Sequence, residues 1–512
     1  MLTATPLSTI IALARAGALD HAWYQFGAAG YEHHDDDPAA LTVRGRLLKD
    51  FALRSSGEER RRYYLQSAEC YRRAAELRPG TYPLINAATL SLLSGDRAKA
   101  EAIAREVLER IAREPDEPET PYWRAATEAE ALLLLGRTGE ARSALEVAVA
   151  AAPRAWEDHA STLRQFLVIQ DALGGETEWL DRLRPQRSLH YSATAAEQAD
   201  AKQREAIAAV LRDEDIGFGY GSLAAGAEIA AAEALLTSGA TLHVILPSDP
   251  ESFAGRFVDP FGAEWRRRFD AALEAAETVE HVRPLHVPPD ERMVELAQEI
   301  ALGAAMLNAE RLMGEAVALS VGTPRAPPRI RAHLLQAPPA ERPLAAPPDS
   351  RTSLLALLAL QLGSGTEEGF QSRLEEARSV LARPPAAQLA PYLSGDFIVV
   401  GYDDVTAAAA AARAIHRQLR GEMPLRIGGH YGLIPCVRDP FTGSLKPTES
   451  GADIVTEIAG AIPPDTICVS HDLAAVLAAR AGPREAHWIG ELQAFDGGSP
   501  VGLYALSRTG GS

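Results

Sequence analysis

Cysteine is scarce in this chain: Cys70, Cys436 and Cys468 are the only three in 512 residues. They lie far apart, without the paired spacing of a zinc knuckle or a disulfide scaffold, which points to a reducing compartment. Positive charge is in deficit as well. With 51 Lys and Arg against 69 Asp and Glu, the formal net charge is -18, which excludes broad contact with nucleic-acid phosphates or an anionic membrane. Two short basic runs, Arg61-Arg62 with Arg72-Arg73 and Arg266-Arg267-Arg268, read as solvated helix faces. Long apolar runs are missing, and no stretch would span a bilayer. The start, MLTATPLSTIIALARAGALDHAW, has no basic segment ahead of its short apolar stretch, which Arg15 and Asp20 interrupt; it reads as a helix of the folded protein, not a signal peptide. The expectation is a cytoplasmic protein without nucleic-acid or membrane partners.

What is there is length and alanine. The length suggests about three or four folding units, and the 46% of apolar residues, rich in Ala, favours helix. Over residues 1–184 helix follows helix. LINAATLSLLSGDRAKAEAIAREVL (84–108) and RAATEAEALLLLGRTGEARSALEVAVAAAP (124–153) echo each other: a small residue deep in a first helix (Ala88, Ala129), a turn glycine (Gly95, Gly136), and an alanine early in a second helix (Ala100, Ala141). Small residues let antiparallel helices approach closely, and glycine takes the left-handed conformation that ends the first helix. The pattern resembles the tetratricopeptide repeat, with AECYRRAAELRP (68–79) as a partial third copy and 113–121 as an extended loop. YRRAAELRPGTYPLINAATLSLLSGD is also similar to the helices of the TRAF-binding segment of apoptosis-signal-regulating kinases and their bacterial relatives. Both resemblances imply a protein partner bound through this array.

From 187 to 322 the period changes. Strand candidates SLHYS (188–192), IGFGYGS (216–222), ATLHVILP (240–247), 279–282 and EAVALSV (315–321) alternate with helices, as in a parallel sheet covered on both faces. Gly219, Tyr220, Gly221 and Ser222 lead from a strand toward a helix N-terminus, with Gly226 beyond. Backbone N–H groups in such a turn suit an anion, which makes these five residues the candidate nucleotide-binding set, although the spacing is not GxGxxG. The stretch GYGSLAAGAEIAAAEALLTSGATLHVILP, with FVDPFGAEWRRRF downstream, looks like the SLOG superfamily of Rossmann-like domains, which implies binding of a nucleotide or its derivative. Where that family places a second glycine-rich loop, this chain has GTPRAPPRIRAH. Residues 323–350 are proline-rich and read as a semi-rigid linker.

Residues 351–509 read as antiparallel strands with packed helices, an α+β sandwich. LRIGGHYG, TICVSHDLAAVLA and WIGELQAFDGGSPVGLYAL, in this order, resemble the class III adenylate/guanylate cyclase domain and its ferredoxin-like core. The resemblance implies two metal-binding aspartates. Asp396, after Gly395, matches one and reads as a vestigial metal residue; the other position falls near Leu360, in a strand without an acid. The helix that would carry an Asn and an Arg reads GADIVTEIAGAIPPD, with Val455 and Ala459 near those places. Two divalent ions need more than one carboxylate, and phosphoryl charge needs its cationic clamp.

The chain therefore reads as multidomain: an all-α helical repeat array, a Rossmann-like α/β parallel sheet, and an α+β ferredoxin-like cyclase fold. No catalytic residue is assigned and no cofactor is expected. The functional expectation is a signalling or scaffold protein whose cyclase-like part forms a homodimer or regulates. The alternative is an active cyclase using ATP or GTP with Mg2+. A third reading, a nucleotide glycosidic-bond hydrolase, would need a carboxylate near the glycine turn; Glu228 is the nearest candidate, and its helix position favours a solvated or capping role instead.

Overall fold

The computed structural model describes every residue except 1–4, 114–119, 194–199, 283–288, 325–326, 328, 337–351, 364–366, 384, 386, 420–424, 442, 493–499 and 508–512. Most of the loop at 113–121, most of the proline-rich segment and the turn before the last strand thus lie outside the described residues. The chain divides into two compact units, Met1–Pro185 and Gln186–Ser512.

The first unit is helical: α1 (Leu7–Arg15), α2 (Leu19–Ala28), α3 (Pro38–Arg54), α4 (Gly57–Leu77), α5 (Thr81–Leu93), α6 (Arg97–Arg113), α7 (Pro121–Leu134), α8 (Thr138–Ala151) and α9 (Trp156–Leu173). Local chemistry sets the boundaries. Asp37 and Thr120 cap α3 and α7 ahead of a proline, where the missing N–H costs nothing. The α5–α6 and α7–α8 turns close identically. Gly95 (φ 92°) and Gly136 (φ 73°) are left-handed. Asp96 N–H reaches Ser91 O and Arg137 N–H reaches Leu132 O, both at 2.9 Å, the hydrogen bonds of a Schellman cap. Ala88, Ala100, Ala129 and Ala141 are buried where the paired helices touch. Gly45 does the same for α3 against α4: a Cβ there would come within 2.9 Å of the Tyr71 ring.

The second unit contains two sheets. Its elements are β1 (Arg187–Ala193), α10 (Ala201–Asp213), β2 (Ile216–Gly221), α11 (Ala227–Thr237), β3 (Thr241–Leu246), α12 (Pro250–Phe257), α13 (Ala263–Ala275), β4 (Thr278–His281), α14 (Glu291–Arg311), β5 (Ala316–Val321) and β6 (Arg331–Leu335). These strands form a wholly parallel sheet in the order β4-β3-β2-β1-β5-β6. The sixth strand comes from the segment read as linker: its residues Arg331 to Leu335 pair in register with Val317 to Val321, because β5 would otherwise leave its outer N–H and C=O groups unpaired.

The remaining elements are β7 (Thr352–Leu362), α15 (Glu367–Leu381), β8 (Leu389–Ser394), β9 (Phe397–Tyr402), α16 (Val405–Leu419), β10 (Leu425–Arg438), β11 (Leu445–Pro447), α17 (Glu449–Ala461), β12 (Thr466–Ser470), α18 (His471–Ala481), β13 (Ala486–Leu492) and β14 (Val501–Leu506). They build a mixed sheet, β13-β14-β12-β10-β7-β9-β8, with β11 paired to β10 and only β10–β12 parallel. β7 is almost wholly apolar because it lies centrally, with helices on both faces.

The two sheets expected to form separate domains share α14. Residues Ile300 to Ala309 of that helix are buried without a break, the signature of a helix covered on all sides. One side faces the parallel sheet: Gln298 meets His190 at 3.2 Å and Asn308 donates to Ser188 at 3.0 Å. The other side meets α18 with no side chain between, since a Cβ on Gly303 would fall 1.8 Å from Ala475 O. Arg480 of α18 then binds both carboxylate oxygens of Glu299 at 2.6 and 2.8 Å and Asp404 at 3.0 Å.

Candidate functional site

In the mixed sheet, Leu360 and Asp396, the two positions at which the sequence resemblance expects metal-binding aspartates, do not form a carboxylate pair. Leu360 pairs across the sheet with Ile398 and Ile427 and is fully buried. Asp396 stands in the β8–β9 turn beside left-handed Gly395 (φ 57°), exposed to solvent. Among the described residues, no trio of His, Cys, Asp or Glu side chains with metal-ligand proximity includes it. On α17, Val455 and Ala459 are fully buried. The backbone of this helix rests on β10: a Cβ on Gly428 would lie 2.5 Å from Val455 O and 2.6 Å from Ala459 N. Side chains at these two positions fill core and present no donor to a phosphate.

In the parallel sheet, Gly219, Tyr220 and Gly221 are strand residues of β2, so the turn begins only at Ser222. The two glycines are packing positions. A Cβ on Gly219 would collide with Leu235 of α11, and one on Gly221 would lie 2.6 Å from the Tyr191 ring. Tyr220 stacks on His243, centroids 4.5 Å apart. Gly226 (φ 107°) starts α11. The donors around this turn already have an acceptor. Glu228, buried rather than solvated, takes Ser222 Oγ at 2.6 Å and Ala224 N–H at 2.9 Å on one carboxylate oxygen. Its other oxygen takes Ala193 N–H at 3.2 Å and Gln298 Nε2 at 3.3 Å. The free space here, lined by Ser222, Glu228, Pro247 and Gln298 among others, is about 10 Å³, room for about one water.

A cluster that the sequence did not single out lies where β4 meets α18. His471 Nδ1 is 2.9 Å from Glu280 Oε2, and Asp472 completes a trio with ligand atoms within 4.8 Å of one another. His471 stacks on Tyr504, which meets Trp488 edge-on. Burial opposes charge on His471, but the Glu280 carboxylate outweighs it and pushes the imidazole pKa up to about 9. Glu280 falls below the usual carboxylate range: burial would raise it, and His471 more than reverses that. His243, desolvated beneath Tyr220, is pulled down to about 4. Only pairing across two elements distant in sequence creates this cluster, so no local motif announces it.

The Arg266–Arg268 run is neutralised in place. Arg266 binds Glu251 and Asp270, and Arg268 binds both oxygens of Glu233 while lying 4.0 Å from the centre of the Trp265 ring. Among the described residues no helix is long and apolar enough to cross a membrane.

Solved structures similar to this chain include an adenylate cyclase of Trypanosoma brucei in its monomeric state (12% identity, 31% of this chain and 92% of that one, TM-score 0.28). The adenylyl cyclase CyaB of P. aeruginosa (13% identity, 30% and 93%, TM-score 0.24) is another. So is an adenylate/guanylate cyclase/hydrolase of Silicibacter pomeroyi (17% identity, 31% and 98%, TM-score 0.24). No curated protein matches the chain. Residues 8–91 match the family model described as TPR-S, Tetratricopeptide Repeats-Sensor.

Proposed function

We propose that this chain is a signalling or scaffold protein in which a tetratricopeptide-type array binds a protein partner and a catalytically inactive cyclase-like module serves assembly or regulation. The order β8-β9-β7-β10, with connections β-α-β-β-α-β, supports a ferredoxin-like core of the cyclase kind in that module. The observation that carries the reading of inactivity is the filling of α17 positions Val455 and Ala459 into the core, against a strand whose metal position is Leu360. Asp396 alone leaves a triphosphate without its paired ions or its cationic clamp. Incubation of the purified chain with ATP or GTP and manganese tests this directly. Cyclic nucleotide is expected at the level of a boiled control, and sustained turnover removes the reading in favour of an active cyclase.

The parallel sheet is read as a Rossmann-like layer that braces the cyclase-like module through α14. A nucleotide phosphate would have to displace Glu228 from the donors at Ser222, Ala224 and Ala193. Self-association is assigned to the edge of the mixed sheet, where Leu393, Val437 and Phe441 are exposed, Phe441 at 96%. Light scattering of a Phe441→Asp variant tests that edge: a dimer that persists unchanged removes it.

A further inference from the structure

Two stripes of side chains face each other between α3 and α4 without closing the space. On α3 the stripe is Leu41, Arg44, Leu48 and Phe51; on α4 it is Tyr63, Gln66, Cys70 and Arg73. Both keep the three-and-four spacing of one helix face. The helices approach closely at Gly45, against Tyr71 and Cys70, and beside that packing lies a groove of about 710 Å³ that Trp23 of α2 also lines. That volume lies in the range of small-ligand pockets, about 300–1,000 Å³.

The two ends of the cavity differ in chemistry. Phe51 meets Trp23 edge-on at 5.6 Å and stacks on Tyr63 at 5.5 Å, so one end is a wall of rings. Seven residues back along α3, about 10 Å, Arg44 lies beside Cys70 and Arg73. Asp35 and Glu69 line this end as well, each more exposed to solvent than Arg44 or Arg73. Asp35 keeps 77% of its side-chain surface in solvent and Glu69 68%, against 34% for Arg44. Arg44 reaches Asp35 and the Glu32 carbonyl only at 3.4 and 3.5 Å, longer than a committed charge-assisted bond. Arg73 shares Glu76 with Arg72, which holds that carboxylate more closely, 2.6 Å against 3.2 Å. The Gln66 amide, midway along the groove, is exposed to solvent.

We infer that the α2–α4 groove binds a small planar aromatic anion, its ring against Trp23, Phe51 and Tyr63 and its anionic group at Arg44 and Arg73.

Calorimetry of the full chain with adenosine 5′-monophosphate and with indole-3-acetate, beside uncharged adenosine and indole, tests it. At least one anion is expected to bind with a dissociation constant of about 1 mM or tighter, and its uncharged counterpart about tenfold more weakly. Arg44→Gln and Tyr63→Ala should each weaken that anion about tenfold while helix content by circular dichroism stays unchanged. Cys70 gives a second readout on the unaltered protein. It is half-buried in the groove while Cys436 and Cys468 are buried, so the bound anion should slow its alkylation by N-ethylmaleimide. Absence of binding by both anions, equal binding of the uncharged counterparts, unchanged affinity in both variants, or alkylation indifferent to the ligand would each overturn the assignment.

Discussion

The glycine-rich turn of the parallel sheet and the α2–α4 groove of the helical unit have opposite relations to a ligand. The turn has the composition of an anion site, yet the chain has put its own Glu228 carboxylate on the donors and left about 10 Å³. The groove has no motif at all, yet about 710 Å³ stays open, with rings at one end and arginines at the other. Glycines in a strand can mark where backbone must lie against a neighbour, as Gly219 and Gly221 do against Leu235 and Tyr191. Polar residues on the inward stripe of a helix pair mark where packing stops. A groove is better announced by polar residues such as Arg44 on the facing stripe of a helix pair than by a glycine run.

The comparison breaks most severely at Gly303. Leucine there would drive its Cβ into the Ala475 backbone carbonyl, which neither helix can relieve by a rotamer change. The variant should lose about 4 kcal/mol or more, the range of exceptional core insertions, seen as a fall in the urea midpoint. Because α14 also carries Gln298 onto Glu228, the closed turn should loosen together with the helix crossing. Glu228→Ala is the next largest. It strands the Ser222 hydroxyl and the Ala193 and Ala224 N–H groups, costing about 2–3 kcal/mol. It also sharpens the comparison: inorganic phosphate should raise the melting temperature of this variant and leave the parent unmoved. A parent that responds equally would mean that Glu228 does not plug the site.

A smaller effect sits at the β4–α18 contact. His471 in the fold titrates at about 9, above its ordinary 6.5. A raised pKa stabilises the protein fully below the unfolded value, and that share is lost as pH rises through the folded value. Glu280, held below its ordinary 4.5, contributes above that value and loses its share as pH falls. The ion pair should therefore help most between about pH 4.5 and 6.5 and fade toward pH 9. Glu280 keeps 47% of its side-chain surface in solvent, so screening limits the effect to about 1 kcal/mol or less. Urea midpoints from pH 6 to pH 10 should fall for the parent and flatten for His471→Ala.

Much of this architecture is legible along the chain. Gly95 and Gly136 announce left-handed helix ends before alanines that meet in the core, and β7 announces a central strand by having no polar interruption from Leu354 to Leu360. The absence of an acid at Leu360 and of a cation on α17 is equally plain. The joining of the two sheets is harder to see, because the burial of α14 on two sides shows in sequence only as the uncharged run 300–309, which a one-sided core helix could also carry. The sixth strand was hidden by the prolines around it, although Arg331 to Leu335 itself contains none. For Glu228, helix position points to a solvated or capping role and says nothing of the other loop N–H groups that fold over it. The β4–α18 cluster joins residues 191 positions apart and has no local signature.

The smallest expected effect on stability separates the two sites most cleanly. Residues that close a core are costly to replace, whereas residues that line a space held open for something else are not. Arg44 makes no contact shorter than 3.4 Å to an acceptor, so Arg44→Gln should shift the unfolding free energy by no more than about 0.5 kcal/mol. Glu228→Gln, almost as conservative, should cost more, since an amide cannot accept on both sides as the carboxylate does. Urea titrations of the two variants side by side make the comparison quantitative. If Arg44→Gln proves as damaging as Glu228→Gln, the arginine is a structural member of the helix pair and the groove is merely imperfect packing. If it is silent, a cation has been kept facing a cavity without serving the fold, and what it serves must come from outside the chain.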